Sequence, residues 1–407
     1  MSDHLSDQLC HIGIDDTADD HMDSTDTIGD TVYSKHWLFK CLVNAVKIVN
    51  GEKSGDGDDG SGGDSEGSAQ EPIELDERSE EELSILWDMS TNEDVMAFLY
   101  EIKAMDLFET IITRTNSPRF AEISAGILAN IAINSDICLN LANKQHFRQL
   151  IVDSMSSSDI PFVIQVIRIV SASLSNSETQ ALWLQTIRDN SDHFLQTIHY
   201  TLENCLNCDL LKSVILVINK MLYLDDTIGQ LWLAFDRRYE CVKCLLEASD
   251  HLLSEDPENI EFMDYLWLVV HTLSLSGNDF TETQLVSNRS ELLALFRRYI
   301  CDSFGDSVDY IIASAHRAGA LSAAISLTNQ ILCLSTYSSV EVLFVPQLCD
   351  CLQQLLHNCG EYLKQLSSES THEISYQLAF DGLTAIQDIY RDFSQKRLHS
   401  VDKPQSR

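Results

Sequence analysis

Two pairs of cysteines are spaced as zinc ligands often are, Cys205 with Cys208 and Cys241 with Cys244. Such pairs bind tetrahedral zinc when each pair lies on a tight turn. Both pairs here fall in or beside helical patterns, where cysteines three positions apart share one face and serve as small core residues. The sequence therefore predicts reduced core thiols at these positions and no metal site.

Motifs of catalysis and nucleotide binding give no better candidate. The segment from Gly55 to Gly60 has the glycine spacing of a dinucleotide-binding loop, but no strand precedes it and no helix follows it. Its aspartates would also repel a pyrophosphate. The chain lacks the serine-hydrolase elbow, the HExxH zinc motif and the phosphate-binding P-loop. We therefore expect a protein that is not an enzyme and that needs no cofactor.

An aromatic and basic run from Tyr33 to Phe39 is the strongest candidate for binding a protein partner. The candidate contact residues are Tyr33, Lys35, His36, Trp37 and Phe39. Aromatic side chains are frequent anchors of protein interfaces. The alternative is that this helix closes the exposed end of a helical array, as terminal repeats must.

Five apolar segments of sixteen residues each indicate the elements that position these side chains. They begin at Phe120, Phe162, Leu211, Phe262 and Leu321, so that the starts are 42, 49, 51 and 59 residues apart. Each segment reads as an apolar helix followed by a short polar turn. Helical repeats of about 40–47 residues are typical of armadillo and HEAT arrays. The pattern predicts an all-α fold, an armadillo/HEAT-like right-handed helical solenoid with a disordered acidic amino terminus and linker.

Asn130 lies in the first of these segments. Nuclear-import adaptors of the armadillo type carry an asparagine there that clamps a basic peptide, and a tryptophan where this chain has Gly126. The asparagine positions of the four later segments read Ala172, Met221, Thr272 and Ile331. The ladder of such adaptors is therefore missing. Asn130 is expected either to anchor a partner backbone or to bond a neighbouring helix.

Composition divides the chain into five segments. Residues 1–30 are predicted to be a disordered acidic amino terminus, 31–49 a helix, and 50–73 an acidic Gly/Ser linker. Residues 74–397 are predicted to form the helical repeat domain, and 398–407 a flexible tail. Within the domain, one long helix is expected over 282–303, and further helices over 339–367 and 371–395.

The charge of the chain bears on its partners. Its 63 acidic residues against 27 Lys and Arg give a net charge of −36. Such a field repels nucleic acid, so the expected partners are proteins with basic segments; simple solubility is the alternative reading. The amino terminus lacks the features of a signal peptide, and no apolar run approaches the ~20 residues that span a bilayer. We expect a nuclear or cytoplasmic protein that does not enter membranes.

Two further stretches resemble a known family. The phrase TVYSKHWLF, within residues 28–49, and the phrase WDMS-x-x-EDV-x-x-FL, within 86–111, are similar to the serum amyloid A-like family, which is associated with synoviocyte proliferation. A third phrase, over 118–132, extends the resemblance. It implies a non-enzymatic armadillo-type protein, mainly nuclear, that promotes cell proliferation through protein partners. The hypotheses are therefore an interaction scaffold or a structural subunit of a larger complex.

Overall fold

The computed structural model describes residues 26–51, 74–235, 240–257, 261–276, 279–304 and 315–334, and the single positions 351, 357 and 384. Every regular element in these ranges is an α-helix, apart from one isolated bridge between Thr27 and Ser34. The predicted all-α, armadillo-like helical repeat is confirmed. The chain divides into two compact units, unit 1 up to Asp189 and unit 2 from Asn190 onwards.

Unit 1 contains nine helices among its described residues. They are α1 (Lys35–Val49), α2 (Glu77–Met89), α3 (Glu93–Glu101), α4 (Ala104–Arg114), α5 (Pro118–Ile131), α6 (Ser135–Asn143), α7 (Gln145–Ser154), α8 (Ile160–Ser175) and α9 (Gln180–Asp189). Helix α5 packs between α2 and α8, so these three serve as the third helices of successive repeats. Helix α1 packs on α2 and α4, which is the place of a second helix in the repeat that ends with α2.

Local sequence explains where the helices of unit 1 begin. The side chains of Asp76, Asn92, Ser117 and Asp159 each accept a hydrogen bond from a backbone N–H of the following first turn. Such caps satisfy donors that a helix cannot satisfy itself. Pro118 follows its cap at the first helical position, where its missing N–H costs nothing.

Unit 2 repeats the same order of elements. Its described helices are α10 (Ser191–Asn204), α11 (Cys208–Leu224), α12 (Asp226–Phe235), α13 (Cys241–Glu255), α14 (Glu261–Leu275), α15 (Asp279–Ser287), α16 (Arg289–Phe304) and α17 (Ala315–Leu334). Helix α14 packs between α11 and α17, and α10 packs against α13. The five apolar segments of the sequence thus lie on α5, α8, α11, α14 and α17.

Side chains bond to backbone carbonyls of the preceding repeat in unit 2. Nε2 of His251 lies 2.8 Å from the carbonyl oxygen of Leu206, just beyond α10, and Nη2 of Arg298 lies 3.3 Å from that of Leu253, in the last turn of α13. Both pairs are separated by 45 residues. Carbonyls at helix ends lack partners within their own helix. These bonds therefore satisfy them and hold the second helices in register.

The boundaries differ from the sequence prediction in two places. The helix predicted over 282–303 is interrupted at Asn288, between α15 and α16, where the backbone N–H and the side-chain amide of Asn288 both donate to the carbonyl of Gln284, at 3.0 and 2.9 Å. Helix α6 was not predicted at all. The predictions for residues 1–25, 52–73, 339–367, 371–395 and 398–407 lie outside the described residues, apart from positions 351, 357 and 384.

Residues 26–34 form a turn ahead of α1. Ile28 is buried, its N–H donates to the carbonyl of Tyr33 at 2.9 Å, and Asp26 accepts from the hydroxyl of Ser34. Residues 26–30, which the sequence placed in the amino-terminal segment, belong to this turn. Within the described ranges, none of the helices has the length and apolar character that crossing a bilayer requires.

Candidate protein-interaction surface

The aromatic run lies at the start of α1 and is tied to the rest of unit 1. Ser34 caps the helix by accepting from the N–H of Trp37 at 3.0 Å. The ring of Phe39 meets that of Phe98 edge-on with centroids 5.5 Å apart, and the ammonium of Lys35 lies 5.9 Å from the Phe98 centroid. Apolar residues of α1, among them Leu38 and Leu42, are buried. The helix therefore covers the end of the array, as the alternative interpretation predicted.

The remaining candidate residues lie just before α1 and in its first turn. His36 is exposed, and Tyr33 and Trp37 are half-buried. The backbone N–H of His36 donates to a carboxylate oxygen of Asp26 at 2.9 Å, which fixes the turn and leaves the imidazole in solvent. The structure thus gathers Lys35 and Phe39 on Phe98 and leaves His36 and Trp37 accessible to a partner.

Asn130 lies apart from the aromatic run, on α5, and is buried with 4% exposure. Its amide nitrogen donates to the carbonyl of Trp87 and to the hydroxyl of Ser90, both at 3.0 Å. Its amide oxygen accepts from the guanidinium of Arg168 at 2.8 Å. These bonds join α2, α5 and α8. Asn130 therefore bonds neighbouring helices, and its donors are not directed at a partner.

Trp87 of α2 is the aromatic residue that lies beside Asn130. Its indole lies against Gly126: a Cβ atom added at Gly126 would overlap the indole. The guanidinium carbon of Arg119 lies 5.8 Å from the Trp87 ring centroid, within the range of cation–π attraction. Trp87 is half-buried, so part of its ring faces solvent. The missing side chain of Gly126 is thus the reason that a tryptophan from α2 fits there.

Arg119 is fully compensated by carboxylates. Its Nε lies 2.8 Å from Glu80 of α2, and its Nη1 lies 2.8 Å from Glu122 of α5. We call the partly exposed side chains of Glu80, Trp87, Arg119, Glu122 and Arg168 the third-helix face of unit 1, because they lie on α2, α5 and α8. Its two acidic groups are both held by Arg119.

Arg168 is the second cation of this face and has different neighbours. It donates to the amide oxygen of Asn130 at 2.8 Å and to that of Gln165 at 2.6 Å. No carboxylate of the described residues lies within ion-pair distance of it, and burial lowers the pKa of its guanidinium. The residue is nevertheless exposed. Two neutral amides therefore hold a positive charge that no described acid balances.

The two cysteine pairs are placed differently from ligands of one metal ion. The thiol of Cys244 lies 3.5 Å from Nδ1 of His199 on α10, and that of Cys241 donates to the carbonyl of Trp232. Burial raises the pKa of Cys241 to about 12 and that of Cys244 well above its ordinary value of 9.0. Cys205 instead contacts the backbone of Asn207. Among the described residues, no three candidate ligands converge on a position that could hold a metal.

A buried carboxylate joins three helices of unit 2. Asp264 of α14 accepts from the hydroxyl of Tyr299 on α16 at 2.7 Å and lies 3.6 Å from Nε of Arg317 on α17. Burial raises the pKa of this carboxyl, with the Tyr299 bond and the Arg317 charge opposing the shift. The carboxylate is engaged by groups of the chain itself, which indicates a structural tie between repeats.

Sequence reasoning missed Trp87, Arg119 and Arg168 as members of one face. The repeat was counted from Phe120, so α2 was not recognised as a third helix and Trp87 was not aligned with Gly126. Counting back 39 residues from Gly126 would have found it, because Glu80 and Arg119 pair at that separation. Arg168 gave no signal, since its role depends on two amides from different helices.

Comparisons with known proteins identify the family. The model of the SAAL1 C-terminal domain matches residues 194–406. The chain is 29% identical to human protein SAAL1 over 372 residues, which cover 86% of this chain and 75% of that protein. It is 31% identical to mouse protein SAAL1 over 251 residues, covering 58% of this chain and 51% of that protein. Zebrafish protein saal1 is 28% identical over 335 residues, 79% of this chain and 67% of that protein.

Among solved structures, the crystal structure of an engineered protein aligns with a TM-score of 0.46 and 12% identity, covering 72% of this chain and 98% of that one. The fold assignment rests on the helices described above rather than on this likeness. The family match, in contrast, extends over more than half of the chain and agrees with the resemblance of the amino-terminal motifs. This chain therefore belongs to the SAAL1 family.

Proposed function

We propose that this protein is a non-enzymatic interaction scaffold that binds basic protein segments in the nucleus or cytoplasm and thereby promotes cell proliferation. The family membership and the helical repeat support the scaffold function. The link to proliferation and the nuclear location come from the family resemblance. The partner chemistry comes from charge, and one face of unit 2 carries that part of the proposal.

This acidic face lies on α10 and α13, which pack against each other. Glu203 of α10 and Glu247 of α13 are exposed, and both act on the same two buried groups, His199 and Cys244. The carboxylates therefore lie on one side of the helix pair. Glu203 lies 4.0 Å from the imidazole of His199, whose pKa is lowered by burial, so that partner is neutral near pH 7. A basic segment would supply the missing positive charge.

Affinity purification of the full chain over a range of salt concentrations tests this function. Partners should be recovered at low salt and largely lost near ~0.5 M salt, where screening acts within a few ångströms. The double substitution Glu203→Gln, Glu247→Gln should reduce recovery of the same partners. The double substitution Glu101→Gln, Glu178→Gln removes as much charge from exposed positions of unit 1 and is the matched control. If the recovery of partners changes neither with salt nor with either double substitution, the basic-segment mechanism is contradicted.

The second candidate function is that of a structural subunit, in which the net charge of −36 only aids solubility. Extensively buried third helices in both units are as compatible with permanent assembly as with transient binding. Size-exclusion chromatography of the purified complex separates the two: a subunit elutes with its partner at fixed stoichiometry and at high salt. A scaffold of the proposed kind releases the partner when salt is raised.

A further inference from the structure

We propose that the third-helix face of unit 1 is a docking site for an acidic peptide segment, with Arg168 as the carboxylate acceptor and Trp87 as the apolar contact. The site goes beyond the acidic face of unit 2, since it has the opposite charge preference. It rests on the proposed scaffold function in one respect, namely that the ligand is a protein segment.

The guanidinium of Arg168 carries a charge that its two bonded partners do not neutralise. A guanidinium has five N–H groups, and Asn130 and Gln165 engage two of them. Both acceptors are neutral amide oxygens, so the positive charge is not cancelled. Neutral acceptors that are themselves fixed hold the guanidinium in one orientation, which reduces the entropy lost when an anion binds. A carboxylate is the group that a guanidinium binds best, through two parallel hydrogen bonds.

Nearby acids do not compete for Arg168. Glu80 and Glu122 both bond Arg119 at 2.8 Å. The chain has a net charge of −36, yet this exposed arginine has no carboxylate partner among the described residues. The charge complement of this face is therefore an acid supplied from outside.

Trp87 is linked to this cation through Asn130. Asn130 bonds both the carbonyl of Trp87 and the guanidinium of Arg168. The indole itself lies on Gly126, one turn of α5 before Asn130, so about 5.4 Å along the same helix. An indole that is half-exposed and rigidly seated is a favourable contact for an apolar side chain. A segment in which Glu or Asp alternates with Leu or Phe would engage both groups.

Fluorescence anisotropy of the full chain with a fluorescein-labelled peptide tests the proposal. The peptide contains Glu-Phe-Glu-Leu-Glu between Gly-Ser ends, and a second peptide replaces each Glu with Lys. The wild-type chain should bind the Glu peptide, and the Glu203→Gln, Glu247→Gln variant should bind it as well and prefer it to the Lys peptide. That variant lacks the acidic face, so failure of one site is distinguishable from failure of the other.

Two substitutions act on Arg168 by different routes. Arg168→Gln removes the charge and should weaken Glu-peptide binding by about tenfold or more, as expected for a charged hydrogen bond. Gln165→Glu leaves Arg168 in place but puts a carboxylate on it in nearly the same shape, and should weaken binding as strongly while the thermal midpoint is retained. Arg168→Lys keeps a point charge, so its affinity for the Glu peptide should lie between those of the wild type and Arg168→Gln. Arg114→Gln, an exposed arginine of the same unit, is the control without effect.

The proposal is overturned if the wild-type chain does not bind the Glu peptide, or if Gln165→Glu binds it as well as wild type. It is also overturned if Arg114→Gln loses as much affinity as Arg168→Gln, because binding then follows total charge. Displacement of the peptide by inorganic phosphate at constant ionic strength would identify a small-anion site instead and would equally reject peptide docking.

Discussion

At the scale of single residues, Gly126 matters because it has no Cβ atom. The indole of Trp87 fills the space where a side chain would begin. Gly319 is a useful contrast, because a Cβ atom there meets nothing within 4 Å. The two glycines have opposite consequences for stability, although both lie inside helices.

Substitution of Gly126 by alanine should therefore destabilise unit 1. The added methyl group forces the Trp87 ring to move, and overpacking of this kind costs about 1–3 kcal/mol. Gly319→Ala should instead gain up to about 1 kcal/mol from helix propensity. Urea unfolding followed by circular dichroism measures both changes. If Gly126→Ala leaves the free energy of unfolding unchanged, the indole is not packed tightly against Gly126. Combining Gly126→Ala with Trp87→Leu should remove most of the loss of stability.

The cysteines give a second prediction at this scale. Cys241 and Cys244 are buried and their pKa values are raised, so little thiolate is available for reaction. Cys205 and Cys208 are only partly buried. A thiol reagent at pH 8, followed by peptide mapping, should label the second pair well before the first. Equal labelling rates in the folded chain would contradict this placement, and labelling in urea provides the control.

At the scale of elements, α1 occupies the place of a second helix in the repeat that ends with α2. The side of α1 that carries Leu38, Cys41, Leu42 and Ala45 is buried, and the amide of Asn44 donates to the hydroxyl of Ser79 on α2 at 2.9 Å. The contribution of α1 to unit 1 that the structure shows is this packing.

Truncation of the most enclosed side chain of α1 tests that contribution. Leu38 is fully buried, and Leu38→Ala should cost about 2–5 kcal/mol through lost burial and a residual cavity. Val32→Ala, at a position that is 79% exposed, should change little. Urea midpoints of the two variants compare them directly. An unchanged midpoint for Leu38→Ala would mean that α1 docks too weakly to close the array.

The sequence predicted third helices better than the faces that they build. Apolar spacing marked α5 and α8 because that signal is local. The break at Asn288 was missed because a side-chain amide there shares the Gln284 carbonyl with the backbone, and periodicity does not report that bond. Asn130 was singled out because import adaptors of the armadillo type carry an asparagine at this position. Its bonds to Trp87 and Arg168 depend on packing between helices, so its role was left open.

At the scale of the whole chain, mild acid should lower stability through buried histidines of unit 2. Burial lowers the pKa of His199, His271 and His316 below the ordinary 6.5, and all three lie in unit 2. An imidazole that resists protonation when folded takes up protons on unfolding below pH 6.5. The unfolded state then binds more protons, so stability falls as the pH falls through this window. Asp264, whose pKa is raised above 3.8, opposes the trend at lower pH.

Thermal unfolding at about pH 7.5 and about pH 5.5 measures this effect. The wild-type chain should lose stability on acidification, and the double substitution His271→Gln, His316→Gln should lose less. His36→Gln, an exposed histidine of α1, is the matched control and should behave as wild type. If the double variant loses as much stability on acidification as the wild type, groups other than His271 and His316 are responsible.

The bonds from one repeat to the carbonyls of the previous one have a consequence for divergence. Asn130, His251 and Arg298 each bond a backbone oxygen, at Trp87, Leu206 and Leu253. Every residue type offers that oxygen, so only the donor side of each contact is fixed by sequence. The accepting helix is free to change its side chains without losing the attachment. The sequences of adjacent repeats can therefore diverge until their similarity is hard to detect, while the stacking of their helices is retained.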